Sequence, residues 1–223
     1  MFDSIAWRYD FLNHLLSFGI DNSWRKKAIK TISETYKNPS ILDVATGTGD
    51  LAIASLSLNP RSVTGIDISD KMLELGDRKI KARGLSGLIK LLKCGSENIC
   101  FADNTFDVAM AAFGVRNFSD PLKGLSEMRR VLRSGGLVMV LEFSRPTGSP
   151  FKNLYNFYFR NLLPQIGELF SKDRKAYRYL HDSVMKFADS EEFMMLLKNA
   201  GFEEIKQERL TLGVASIYTG IKK

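Results

Sequence analysis

The residues best suited to chemistry lie in the run Ile41-Leu42-Asp43-Val44-Ala45-Thr46-Gly47-Thr48-Gly49-Asp50, an apolar stretch ending in a glycine turn flanked by acids. Gly47 and Gly49 let the backbone take open dihedrals and approach a ligand closely. Leu51, Ala52 and Leu58 then give the following segment one apolar side, as for a helix laid on a sheet. A second apolar run, Val63-Thr64-Gly65-Ile66, ends in Asp67, about twenty residues past the turn, the offset at which an acid meets a ribose diol. Gly47-Thr48-Gly49-Asp50-Leu51-Ala52 also satisfies the dinucleotide pattern G-x-G-x-x-A, so the glycines alone do not choose a ligand. The acids do. A pyrophosphate is repelled by carboxylates near a helix N-terminus, whereas a sulfonium with a free ammonium is attracted, so Asp43 and Asp50 favour S-adenosylmethionine over NAD. Plainer roles compete with this reading, Asp50 as a first-turn helix acid and Asp43 as a buried anchor for the loop.

The elements that position these residues follow from periodicity and punctuation. Phe2, Ile5, Tyr9 and Leu12 recur at helical spacing, as do Trp24, Ala28, Ile32 and Tyr36, which predicts N-terminal helices over 1–38 ended by Asn38-Pro39. The helix from Asp50 stops at Asn59-Pro60, and Ser69-Asp70 caps a helix from Lys71 toward Ala82. Ile89 to Lys93 and Phe106 to Ala112 read as strands, Pro121 to Leu132 as a helix stopped by Gly135-Gly136, and Leu137 to Phe143 as a fifth strand. Strand and helix alternate, so the class is α/β: a doubly wound, mostly parallel sheet with ligands at the carboxyl ends of its strands. Ile205 to Leu210 and Val214 to Ile221, joined around Leu212-Gly213, form a C-terminal antiparallel hairpin, an ending that suits a class I S-adenosylmethionine-dependent methyltransferase better than a dehydrogenase.

Composition narrows the possibilities. The 223 residues, 44% hydrophobic and 26% charged, fit a single domain over 1–223. No apolar run approaches the roughly 20 residues that cross a bilayer, and the start Met-Phe-Asp-Ser-Ile-Ala-Trp lacks a secretory or transit pattern, so a cytoplasmic home is expected. Cys94 and Cys100 match no zinc spacing and read as small packing residues. With His14 and His181 as the only histidines, neither a metal site nor a Ser-His-Asp triad is expected. The net charge of +7 admits nucleic acid, an anionic membrane or a solvated basic face. The segment 144–189 interleaves aromatics such as Tyr155, Phe159, Tyr177 and Tyr179 with Arg145, Lys172, Arg174 and Lys175. Stacked single-stranded nucleic acid, a greasy substrate pocket beside anionic lipid, or an insertion packed on the core would each use it.

Several motifs together resemble the UbiE/MenG family of quinone-biosynthesis C-methyltransferases, over essentially the whole chain. Tyr9-Asp10-Phe11-Leu12-Asn13, Leu16-Ser17 and Trp24 are similar to the family's Y-D-x-M-N-x-x-L-S-x-x-x-H-x-x-W, with Leu12 for Met and Asp21 for His. Arg130-Val131-Leu132-Arg133-Ser134-Gly135-Gly136 through Leu141-Glu142-Phe143-Ser144 resembles the second signature, without its usual Lys-Pro. Phe113-Gly114-Val115-Arg116-Asn117 resembles F-G-x-R-N, and Tyr177-x-Tyr179-Leu180-x-x-Ser183 a lid segment. Gly95-Ser96 stands where the family reads Asn-Ala or Asp-Ala, so adenine would meet a backbone carbonyl or Ser96.

The resemblance implies C-methylation of a demethylated prenyl quinol by S-adenosylmethionine, with demethylmenaquinol first and the benzoquinol precursor of ubiquinone second. Arg116 and Asn117, at the sheet end where the donor sulfur should lie, are the expected catalytic pair, Arg116 stabilising quinolate charge rather than acting as a base. A structural Arg116 paired with an acid such as Asp120 is the alternative. Tyr9 and Asp50 are expected at the donor's methionine end, with Asp43, Gly47, Thr48, Gly49, Asp67, Gly95, Ser96 and Ala112 completing the cofactor site. Arg145, Tyr177 and Tyr179 are expected to close the quinol pocket beneath a helical lid over 144–189, which touches an anionic membrane peripherally at its inner face. A nucleic-acid methyltransferase is the rival, disfavoured because neither an Asn/Asp-Pro-Pro-Tyr run nor a Pro-Cys nucleophile occurs. Nucleic acid is therefore not an expected partner, and a homodimer is left open.

Overall fold

The computed structural model describes residues 19–146, 183–184, 187–188 and 190–223. Its elements in chain order are α1 (Asp21–Ser33), β1 (Ser40–Val44), α2 (Asp50–Ser55), β2 (Ser62–Asp67), α3 (Asp70–Ala82), β3 (Ile89–Lys93) and β4 (Phe106–Ala112). They continue with α4 (Pro121–Val131), β5 (Leu132–Phe143), α5 (Glu191–Asn199), β6 (Glu203–Leu210) and β7 (Ala215–Ile221). The strands form one seven-stranded sheet in the order β3-β2-β1-β4-β5-β7-β6. Its first five members are parallel, and β7 runs antiparallel to both β5 and β6. The doubly wound sheet with an antiparallel C-terminal hairpin is thus present.

Both faces of the sheet are covered, which explains why its central strands lack alternation. In β4, Val108, Ala109, Met110 and Ala111 are all buried, as expected of a strand with helices on both sides. Val108 and Met110 join the cluster made with Trp24, Ile29, Leu51 and Ile80 of α1, α2 and α3. Ala109 and Ala111 join the opposite cluster with Leu125, Met128, Phe193 and Leu197 of α4 and α5. Helix starts follow local chemistry: the Ser69 hydroxyl accepts from the Met72 amide at 3.2 Å, and Asp120 accepts from the Lys123 amide at 3.0 Å with Pro121 in the first turn.

The end of α4 corrects the sequence expectation. The helix stops at Val131, and β5 begins at once with the fully buried Leu132, so Gly135 and Gly136 lie inside a strand irregularity. Pairing with β4 passes from Phe106–Leu132 to Val108–Leu137, leaving the intervening β5 residues outside the ladder. Gly135, at φ +78°, instead donates its amide to the Lys222 carbonyl at 2.7 Å. The Lys222 ammonium in turn takes the Leu132 and Arg130 carbonyls at 2.7 and 3.2 Å.

One close approach sets up the site. A Cβ built on Gly76 of α3 would lie 3.1 Å from the Thr48 carbonyl group and 2.8 Å from a Leu91 methyl, so a larger residue would press on the turn after β1 and displace the Leu91 side chain.

Candidate active site

The carboxyl ends of β1, β2 and β4 open into a cleft that mixes polar and apolar walls, as small-molecule sites do. Asp43, Thr48, Asp50, Asp67, Ser96, Ala112 and Asn117 line it, with Gly47 at its turn, as expected from the sequence. Gly49 (φ +83°) forms the cap of α2 without a side-chain hydrogen bond. Gly47 (φ +56°) has open space where a Cβ would stand, the arrangement of a backbone left accessible to a ligand.

Asp67 connects the turn to β2. Its Oδ2 accepts from the Gly47 amide and its Oδ1 from the Ser69 amide, both at 2.9 Å, so the carboxylate is fixed in orientation at the cleft wall. Asp43 is deeper. Oδ2 accepts from the Thr46 hydroxyl at 2.6 Å, while the buried Oδ1 accepts no hydrogen bond. Burial pushes its pKa up to about 7, opposed by the Thr46 bond, by the Ala52 backbone amide and by the positive charge of Arg25. A buried carboxylate oxygen without a donor is costly, and its natural complement is a cation or N–H group brought by a ligand. Asp50 is held differently: Lys79 of α3 donates to it at 2.7 Å and to the Thr48 hydroxyl at 2.5 Å.

On the far wall Ser96 donates to Glu97 at 2.8 Å, and Glu97 also accepts from the Ser119 amide at 2.8 Å. Partial burial opposes ionisation of Glu97, but these bonds, with the Asp120 amide, hold its carboxyl below the usual range. Ile68, Met72 and Cys94 supply apolar surface beside it. Gly95 does not line the cleft. It bridges to Asn98 behind Ser96. Cys94 is buried, but Cys100 is exposed rather than packed, and its amide donates to the Cys94 sulfur at 2.8 Å.

Arg116 departs from the place expected of it. Its side chain is 1% exposed and is not on the cleft wall; Nη1 donates to Glu142 Oε2 at 2.9 Å and to the Phe113 carbonyl at 2.6 Å, and its amide donates to Glu142 Oε1 at 3.2 Å. The guanidinium carbon lies 5.4 Å from the Phe143 ring centre. The acid beside it is Glu142 of β5, not Asp120, which caps α4. Asn117, next along the turn, does face the cleft. Arg145 is not among the lining residues, and its carbonyl accepts from Arg209 at 3.1 Å. Tyr9, Tyr177 and Tyr179, most of the expected lid over 144–189, the first N-terminal helix, His14 and His181 lie outside the described residues.

Sequence reasoning missed Arg25, which lines the cleft from α1, and the acid beneath it, Asp21. The i,i+4 spacing of Asp21 and Arg25 was a visible signal for the pair, although nothing local tied it to a loop that follows β1. Phe113, at φ +57°, and Phe118 were also missed. They line the cleft because the chain turns sharply after β4.

The chain is 51% identical to a protein of Geotalea daltonii named ubiquinone/menaquinone biosynthesis C-methyltransferase UbiE, covering 100% of this chain and 94% of that one. It is 44% identical to a demethylmenaquinone methyltransferase of Bacteroides fragilis, covering 100% and 91%. Among solved structures, a SAM-dependent methyltransferase from Thermotoga maritima superposes with a TM-score of 0.70 at 20% identity, covering 100% of this chain and 98% of that one. Another, from Aquifex aeolicus, gives 0.62 at 20% identity and 89% coverage of each. These two share the fold. Residues 1–222 match the ubiE/COQ5 methyltransferase family, and the chain belongs to it.

Proposed function

We propose that the protein transfers a methyl group from S-adenosylmethionine to a ring carbon of a demethylated prenyl quinol, with demethylmenaquinol as the acceptor, in menaquinone biosynthesis. The observation that carries this reading is full-length similarity, at 44% and 51% identity, to proteins named for that chemistry. The cleft supports it on independent grounds. Asp43 offers an unfilled carboxylate oxygen to an ammonium, and Asp67 offers a fixed acceptor for a ribose diol. Ile68, Met72 and Ser96 offer apolar surface and a hydroxyl side by side, a combination suited to adenine.

S-adenosylmethionine, when bound, supplies an electrophilic methyl group on a sulfonium. The chain must then position the quinol and raise the electron density of its ring carbon, which requires removing or polarising a hydroxyl proton. Asn117, on the cleft wall, is the residue proposed to hydrogen-bond the quinol oxygen. Arg116 is proposed to act through the turn: its bonds to Glu142 and to the Phe113 carbonyl fix the backbone from which Asn117 projects. Orientation alone can contribute about 7 to 11 kcal/mol, so few dedicated side chains are needed. Tyr9 is assigned by resemblance to the donor's methionine end, and Arg145, Tyr177 and Tyr179 to the quinol pocket.

The prenyl tail places the reaction at a bilayer surface, and the net charge of +7 suits peripheral contact with anionic lipid. Among the described residues no helix is long and apolar enough to cross a membrane. The test is incubation of the purified protein with methyl-labelled S-adenosylmethionine and chemically reduced short-chain quinols. Labelled menaquinol in the mass spectrum is the expected product. Label on the ubiquinone precursor alone would change the acceptor ring, and label on neither ring with label on nucleic acid would overturn the reading.

A further inference from the structure

The chain holds two cysteines in 223 residues, and the fold sets one against the other. Cys94 follows the last residue of β3, after which the chain doubles back in a tight turn closed by an antiparallel bridge between Gly95 and Asn98. The turn brings the Cys100 amide to 2.8 Å from the Cys94 sulfur, whose own thiol donates to the Asn98 carbonyl at 3.6 Å. With that contact the two Cα atoms can stand no more than about 7 Å apart, within the reach of a disulfide. The two thiols otherwise differ. Cys94 is buried and lines the cleft, whereas Cys100 is exposed and does not. An exposed cysteine is uncommon, because the residue is among those most often buried. Burial and then the adjoining Cys100 thiol push the Cys94 thiol up to about 11, so Cys94 keeps its proton at neutral pH and the solvent-facing Cys100 is the thiol that an oxidant meets first.

We infer that Cys94 and Cys100 form a modification site at which hydrogen peroxide installs a disulfide, and that this disulfide reshapes the cleft wall carrying Ser96 and Glu97. The Cys100 sulfur attacks one peroxide oxygen and the O–O bond breaks. Cys100 is oxidised to a sulfenic acid, and the second oxygen leaves with the thiol proton as water. Cys94 then attacks the Cys100 sulfur: the S–S bond forms, the S–O bond breaks, and the hydroxyl departs with the Cys94 proton as a second water. Two thiols and one peroxide thus give one disulfide and two waters. The product takes from the Asn98 carbonyl its thiol donor and ties together the ends of the loop 95–99. On that loop Ser96 donates to Glu97, and Glu97 accepts from the Ser119 amide across the cleft wall, both at 2.8 Å. The disulfide stands apart from the S-adenosylmethionine reading, while its effect on donor binding rests on that reading.

Titration of the reduced, unaltered protein with hydrogen peroxide, followed by alkylation of the remaining thiols and mass spectrometry, tests the site. Trypsin cuts after Lys93 and Arg116, so both cysteines fall in one peptide, 94–116. The expected product is that peptide unalkylated and lighter by two hydrogen atoms, returned to two alkylated thiols by dithiothreitol. Calorimetry is expected to show the oxidised protein binding S-adenosylhomocysteine about three- to tenfold more weakly than the reduced protein, the range for one lost hydrogen bond, with recovery under dithiothreitol. Cys100→Ser alters no cleft residue and is expected to keep the reduced affinity and to lose the response to peroxide. Oxidation of Cys100 to a sulfinic or sulfonic acid with Cys94 still a free thiol, or a disulfide between two copies of the chain, overturns the site. An internal disulfide with equal affinity in both redox states overturns the coupling to the cleft. So does a Cys100→Ser protein that still weakens under peroxide, which would trace the loss to another residue such as Met72. Failure of the reduced protein to bind S-adenosylhomocysteine at all would instead sink the donor reading, and the mass of the 94–116 peptide would still decide the disulfide.

Discussion

Two carboxylates sit fully buried at the carboxyl ends of neighbouring parts of the sheet, Asp43 on β1 and Glu142 on β5, and they are treated in opposite ways. Glu142 accepts from the Arg116 guanidinium, the Arg116 amide and the Phe143 amide, using both oxygens. Asp43 accepts from the Thr46 hydroxyl on one oxygen and from nothing on the other. Burial therefore does not separate the two acids, but hydrogen-bond satisfaction does. At the β5 end both carboxylate oxygens accept hydrogen bonds, and at the β1 end one of the two does not.

The largest effect should come from breaking the satisfied side. Glu142→Ala leaves Arg116 buried without its counter-charge and is expected to cost about 3 to 5 kcal/mol of stability, read as a lower midpoint in urea unfolding. An unchanged midpoint would remove the contrast. Next, Asp67→Ala deletes the acceptor for the Gly47 and Ser69 amides along with the proposed ribose contact. Calorimetry should show S-adenosylhomocysteine affinity falling about tenfold or more, at roughly 1.5 to 3 kcal/mol for charge-assisted bonds, in a variant that still folds.

The unsatisfied side sharpens the comparison through pH. Asp43 has a folded-state pKa of about 7 against an ordinary 3.8, so between those values the folded chain keeps a proton that the unfolded chain has lost. Stability of the ligand-free protein should therefore fall as pH rises through that window, and Asp43→Asn should flatten the dependence. A bound ammonium favours the ionised form, so S-adenosylhomocysteine affinity should rise about tenfold per pH unit below about 7 and level off above it, with no such slope in Asp43→Asn. The smallest expected change is Lys79→Met. It frees Asp50 from a partly exposed ion pair, and affinity should shift less than about fivefold, in line with pairs worth up to about 1 kcal/mol.

Much of this arrangement is legible in the sequence. Unbroken apolar runs such as Phe106 to Ala112 read as central strands because helices on both faces demand apolar residues on both, and Asp67 follows the glycine turn at a spacing set by one βαβ unit. The pairing of Arg116 was not legible. Its acid lies 26 residues away on another strand, so strand order rather than any local pattern brings the two together. Gly135-Gly136 misled for a related reason: the pair resembles a helix stop, but here it serves a strand whose odd residues bond to Lys222 at the far end of the chain. Arg25 was hidden because α1 precedes β1, and nothing local to it shows that its side chain reaches the cleft beyond that strand.

Gly76 carries a consequence of another kind. The separation between α3 and the turn that ends at Thr48 is so close that a methyl group at position 76 would push the Leu91 side chain aside and press on the Thr48 carbonyl. A spacer at position 76 would shift the turn and Lys79's grip on Thr48 and Asp50 together, although residue 76 is not itself on the cleft wall. The shape of the cleft thus depends on a position behind its wall, and a larger residue there would alter that shape while leaving every lining group chemically the same.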